Sequence, residues 1–150
     1  MRGVLVGALA VVAVLGVAGA VAVPEAKQWY EGRHEEASSY ATGQEAKADR
    51  KSVPRWLPDG ASSVEYAMRT TGGERILKAT LPDGKLPAPC QPLDAAKTPE
   101  PEIDAAWFPG GITDDAQGRC GSYYVAMKGH TLYAWQTNED WVEGNRRSAQ

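Results

Sequence analysis

Tyr123-Tyr124-Val125-Ala126-Met127-Lys128-Gly129-His130-Thr131-Leu132-Tyr133-Ala134-Trp135-Gln136 reads as two strands joined by a tight turn. Tyr123, Val125 and Met127 alternate with Tyr124, Ala126 and Lys128, the two-residue period of a half-buried strand. Gly129-His130 then turns the chain into residues 132–136, and aromatic and β-branched residues, which fit a pleated surface, dominate both runs.

Upstream the pattern recurs. Val64, Tyr66 and Met68 alternate with Glu65, Ala67 and Arg69; Leu77, Ala79 and Leu81 alternate with Ile76, Lys78 and Thr80; Gly72-Gly73 lies between, as in a hairpin. Leu57-Pro58-Asp59-Gly60 and Leu81-Pro82-Asp83-Gly84 repeat one phrase, with proline and glycine at positions a β-turn favours. Two hairpins predict a small α+β domain with a four-stranded, meander-like antiparallel sheet that must bury one face. The covers to hand are the helical segment before the domain, a helical turn or two within residues 103–108, and the loop between the hairpins.

That loop carries Pro82, Pro87, Pro89, Pro92, Pro99, Pro101 and Pro109. Proline lacks an amide donor and fixes its own φ, so the region is expected to be irregular and stiff. Cys90 and Cys120 are the only two cysteines. In an exported domain such a pair reads as a disulfide, which would pin both ends of the proline-rich excursion to the sheet. A pair of free thiols is the alternative, and no Cys-x-x-Cys spacing favours a redox role.

The compartment is read from residues 3–23, which are all Gly, Ala, Val or Leu. As a helix they reach about 31 Å, close to the hydrocarbon thickness of a bilayer. An uncleaved anchor is the reading adopted. A cleaved signal peptide is its alternative, because Ala18-Gly19-Ala20 and Ala20-Val21-Ala22 both offer small-x-small cleavage patterns. Arg2 lies on one side of the segment and a balanced charge run on the other, which places the C-terminal bulk outside. Gly3 and Gly7 form a G-x-x-x-G pair that permits a dimer, although a monomer is favoured.

Residues 24–52 are rich in helix formers with charges of both signs and few large apolar side chains, so a solvated helical stalk is expected, ended by Pro54. The layout is then an anchor at 1–23, a stalk at 24–52, an extracytoplasmic domain at 53–142 and a polar tail at 143–150.

Charge and motifs exclude several functions. The net formal charge is -3, and the basic residues are scattered, which argues against nucleic acid. His34 and His130 are the only histidines. G-x-S-x-G, the Walker loop, H-E-x-x-H and cysteine-histidine metal spacings are all absent, so no catalytic residue, metal or cofactor is assigned. Asp94, Glu100, Glu102, Asp104, Asp114 and Asp115 match no calcium loop and read as a solvated acidic rim. The aromatics are more informative: Trp107, Trp135, Tyr124 and Tyr133 form a possible binding surface if exposed, and core if not.

Arg55-Trp56-Leu57-Pro58-Asp59, Arg69-Thr70-Thr71-Gly72-Gly73, Trp107-Phe108-Pro109, Arg119-Cys120-Gly121-Ser122-Tyr123-Tyr124 and Leu132-Tyr133-Ala134-Trp135-Gln136 together resemble an uncharacterised group of small single-pass, membrane-anchored extracytoplasmic proteins of actinobacteria. The resemblance implies the anchor, stalk and domain outline and transfers no activity. Two functions follow as expectations. The first is a membrane-tethered interaction or envelope accessory module that meets an unknown protein or envelope glycan on the aromatic face or proline-rich loop. The second is an envelope-acting hydrolase using loop carboxylates, which would need two of them facing each other in a cleft.

Overall fold

The computed structural model describes residues 34–93 and 98–148. The chain divides into two units, Met1–His34 and Glu35–Gln150, and every element below belongs to the second. Its strands are β1 (Glu35–Thr42), β2 (Ser62–Arg69), β3 (Arg75–Thr80), β4 (Gln91–Pro92), β5 (Gly118–Cys120), β6 (Tyr123–Lys128) and β7 (Thr131–Gln136). Helices α1 (Gly43–Asp49) and α2 (Asn138–Ser148) and a 3-10 turn (Ile112–Asp115) accompany them. The strands form one antiparallel sheet in the spatial order β1-β2-β3-β7-β6-β5-β4.

Both hairpins form where alternation places them. Tyr66 lies opposite Leu77 and Ala67 opposite Ile76 in β2–β3, while Val125 faces Ala134 in β6–β7. Gly129 closes the second turn at φ 62°, a left-handed angle that glycine adopts without a Cβ clash. The second Leu-Pro-Asp-Gly phrase is a turn, with the Gly84 N–H donating to the Leu81 carbonyl. The first closes one residue later, from Ala61 N–H to the Pro58 carbonyl.

The expected four-stranded sheet is corrected to seven strands, and the expected helical stalk is corrected with it. Residues 24–33, like the anchor segment 3–23, lie outside the described residues. Beyond them β1 occupies residues 35–42 of the stretch read as helix, paired with β2 from Glu35 opposite Arg69 to Thr42 opposite Ser62, and among the described residues of that stretch only α1 at Gly43–Asp49 is helical. Pairing overrides local helix preference here because tertiary partners outweigh a few tenths of a kcal/mol per residue. Tyr40 packs on the core, Ser39 Oγ donates to Glu65, and Glu36 meets Arg50 at 2.6 Å. Thr42 ends the strand and caps α1, its hydroxyl accepting from the Glu45 N–H at 3.1 Å. No helix among the described residues is long and apolar enough to cross a membrane.

At the opposite edge β5 and β4 extend the second hairpin. These two short strands arise inside the region expected to be wholly irregular. The expected helical turns in residues 103–108 are replaced by a single turn, Phe108 N–H to the Ala105 carbonyl, and the 3-10 turn follows them.

The sheet buries both faces rather than one. On the first face Val64, Tyr66, Leu77, Ala79, Val125, Leu132 and Ala134 pack beneath Ala46 of α1 and Val53, Leu57 and Ala61 of the segment after it. On the second, Ala67, Ile76, Ala126 and Trp135 lie beneath Ile103, Ile112, Trp107 and Phe108 of the proline-rich segment. That segment is therefore the lid of a core. Burial of each large apolar side chain contributes about 1.5–3 kcal/mol.

Candidate functional site

Cys90 and Cys120 form a disulfide. Cys120 is fully buried in the first core and Cys90 is packed against it, so the bond ties the start of the proline-rich segment to the sheet edge. Its place beside β4 and β5, paired Gln91 to Arg119 and Pro92 to Gly118, makes it a structural crosslink.

Just beyond Cys120 lies a groove of about 350 Å³ between the β5–β6 turn and α2. Arg119, Ser122, Asp140, Glu143, Arg147 and Ser148 line it. Asp140 organises its floor. Its Oδ1 accepts from Arg119 at 2.8 Å and from the Tyr124 hydroxyl at 3.4 Å, and its Oδ2 accepts from Thr137 at 2.8 Å. Thr137 in turn accepts from the Asp140 N–H at 3.1 Å, so this reciprocal pair starts α2 while it fixes the carboxylate. The Arg119 guanidinium stacks 4.6 Å from the Tyr124 ring centre. Burial, the largest cause, raises the Tyr124 phenol above its ordinary value, with Arg119 opposing it.

Glu143 reaches Arg146 at 3.7 Å and Arg147 at 3.4 Å from the outer wall. The lining thus presents two cations, two anions and two serine hydroxyls. Such a surface recognises a polar ligand of both hydrogen-bonding senses. It holds no nucleophile with a base beside it. Among the described residues no cluster of His, Cys, Asp and Glu is placed to hold a metal ion.

The four aromatics singled out in the sequence come together on the second sheet face. Trp135 is fully buried and belongs to the core, not to an exposed surface. Tyr124 stacks on it at 5.9 Å, Phe108 meets it edge-on at 6.1 Å, and Trp107 and Tyr133 each meet Phe108 edge-on. Trp107, Tyr124 and Tyr133 are half-buried, packed against this core rather than free of it. Among the described residues, the large apolar side chains that do face solvent are neighbours on α2, Trp141 and Val142.

The acidic residues are dispersed. Asp94 lies outside the described residues; Glu100 accepts from Thr113 at 2.6 Å, and Asp115 pairs with Lys128 at 2.8 Å. Glu102 faces Glu74, whose hydrogen bond is the largest cause holding the Glu102 carboxyl above the usual carboxylate value. Glu74 is buried in the β2–β3 turn, while the Glu102 side chain stays 46% exposed at the rim of the lid. His130 Nδ1 lies 3.0 Å from the Leu81 carbonyl oxygen.

Sequence reasoning missed Arg119, Asp140 and the groove because α2 lies in a stretch that reads as polar tail. The usable signal was Thr137-x-x-Asp140, a helix-start pattern. Comparison with protein-family models, with curated proteins and with solved structures finds no match in any of the three, so the groove and the disulfide are read from their own geometry.

Proposed function

We propose that this chain is a membrane-tethered extracytoplasmic module of the cell envelope that works by binding. The observation that carries the reading is the Cys90–Cys120 disulfide, which uses both cysteines of the chain and closes the segment lidding the second core. Structural disulfides persist on the oxidising side of a membrane. The apolar run at residues 3–23, preceded by Arg2, supplies the matching address.

Binding is favoured over catalysis by the character of the groove. Its charges neutralise one another in pairs, and the Ser148 hydroxyl is committed to the Gly144 carbonyl. The aromatic face expected to meet a partner lies under residues 98–116, so the contact surface moves outward to the groove and to the exposed Trp141 and Val142 on the same helix. An envelope protein or glycan with hydrogen-bonding groups of both kinds fits this surface.

The test uses intact cells that make the full chain. Added protease should degrade residues beyond the apolar run, and a membrane-impermeant maleimide should label neither cysteine until reductant is supplied. A photo-crosslinker at Ser122 should capture an envelope component that one at Glu65, on the opposite part of the sheet, does not. Full protection from protease, with both thiols labelled without reductant once the cells are lysed in denaturant, would overturn the reading. Hydrolysis of envelope material by the purified domain, without capture, would replace it with the hydrolase.

A further inference from the structure

Arg69 is the junction of three segments. Its guanidinium reaches Glu35 Oε1 at 3.4 Å, Glu74 Oε1 at 3.2 Å and Glu102 Oε2 at 3.9 Å, and it donates to the Glu102 backbone carbonyl at 3.0 Å. One cation therefore serves a carboxylate from β1, one from the β2–β3 turn and one from the lid at residues 98–116. Arg75, the other cation nearby, is committed elsewhere, with one nitrogen donating to the carbonyls of Arg69, Gly72 and Glu74. Glu139 of α2 adds further negative potential at Glu102.

The second oxygen of Glu74, Oε2, is buried and takes no hydrogen bond from any described residue. The Glu74 side chain is only 8% exposed, so water does not serve it freely. The turn closes over the same oxygen, since a Cβ on Gly72 would stand 2.3 Å from it. A buried carboxylate oxygen without a donor costs about 1–3 kcal/mol or more. Glu102 shares the Arg69 Nη1 with Glu74, at 3.9 Å against 3.2 Å, and although its side chain is 46% exposed, a proton on it turns an acceptor into a donor for the neighbouring carboxylate.

We propose that Glu102 in its acid form donates to Oε2 of Glu74, and that this single proton fastens the 100–105 end of the lid over the second core. The residue after Glu102 is Ile103, 2% exposed beneath the lid, so the fastening sits next to the apolar contact it secures. Elsewhere the lid is held by bonds that do not titrate, from Trp135 to Pro99 and from Thr98 to Thr113. Two more go to carboxylates, Thr113 to Glu100 and Lys128 to Asp115, and weaken in acid rather than at neutrality. Removing the proton leaves two carboxylates face to face with one guanidinium shared among three, and the repulsion lifts the Glu102 end alone.

The sign follows from the direction of the Glu102 shift, upward from 4.5, caused first by the bond to Glu74, then by desolvation and the Glu74 charge, with Arg69 opposing. The stabilisation is complete below the ordinary glutamate value and is lost as pH rises through the raised one. The lid is tighter in mild acid than at neutrality.

Amide hydrogen exchange of the full chain in nanodiscs, with the disulfide intact, tests this. After correction for intrinsic rates, protection at residues 102–105 should fall at least about threefold between about pH 4 and about pH 7, while β6 and β7 stay unchanged. Glu102→Gln keeps a donor at every pH, so it should hold the acid level of protection throughout. An equal pH dependence in Glu102→Gln, or none in the parent, overturns the proposal. Carbon-13 titration of the parent's glutamate carboxyls checks it without any variant, and a Glu102 that titrates at the ordinary value overturns it as well.

Discussion

The indole N–H of Trp135 donates to the carbonyl oxygen of Pro99 at 3.0 Å, joining the most deeply buried ring of the second core to the backbone of its lid. Pro99 lies in a proline-rich stretch with few backbone donors and little regular structure, so its order comes from bonds like this one. Trp135→Phe should lower unfolding free energy by about 2–3 kcal/mol, through a smaller ring and an unpaired carbonyl, and Trp135→Ala by about 3–5 kcal/mol. Urea unfolding followed by far-UV circular dichroism measures both. A cost below about 1 kcal/mol for the alanine variant would show that the lid is not packed on this ring.

Reducing the disulfide should cost roughly 3–4 kcal/mol in the chain-entropy picture, for a bridge between residues 30 apart. Cys90→Ser with Cys120→Ser should show the same loss in thermal unfolding. Reductant should leave the double variant's melting temperature unmoved.

Gly43 begins α1 with its Cα pressed against the Pro58–Ala61 turn that follows the helix, where a Cβ would stand 2.0 Å from the Pro58 carbonyl oxygen. The Gly43 N–H also donates to the Ala61 carbonyl at 2.8 Å, so helix and turn cannot simply part. Gly43→Ala should therefore destabilise by about 1–3 kcal/mol, against the gain in helix propensity that alanine normally brings. Gly110→Ala, at a position with open space around it, is the control and should be nearly neutral by chemical denaturation.

Tyr123 buries its hydroxyl without a bond of ordinary hydrogen-bond geometry to any described residue. Burial, the first cause, holds this phenol well above the ordinary 10.0. Its contribution is thus fully present below that value and fades above it, because the unfolded chain ionises there while the folded one resists. Tyr123→Phe should be neutral or up to about 1 kcal/mol more stable near neutrality. The variant should also unfold at higher pH than the parent in an alkaline titration read by circular dichroism.

Much of the sheet is visible in the sequence. The alternation of Val64, Tyr66 and Met68, and of Tyr123, Val125 and Met127, has high contrast because those strands bury one face deeply in the first core. β1 carries no such contrast. Ser39, Ala37 and Ala41 face solvent, and its partner face holds only Tyr40 as a large apolar residue, so an edge strand of good helix formers reads as helix until β2 is there to pair with it. β4 and β5 are two and three residues long and are set by the disulfide and the second hairpin rather than by any period of their own. The aromatic set was legible as residues that lie together. Their burial was not, since it depends on a proline-rich segment folding back as a cover, which composition does not foretell. The groove was hidden for a related reason: Asp140 and Arg119 are 21 positions apart and meet only after β6 and β7 have folded between them.

The middle seam of the sheet joins β3 to β7, and across it Gln136 bonds to Gly73, 63 positions earlier in the chain. A nascent polypeptide that has released β1, β2 and β3 still lacks the neighbour against which β3 is stitched, so nothing compact can settle until almost the last strand emerges. Late closure of this kind leaves the chain extended for most of its synthesis and places compaction at its end.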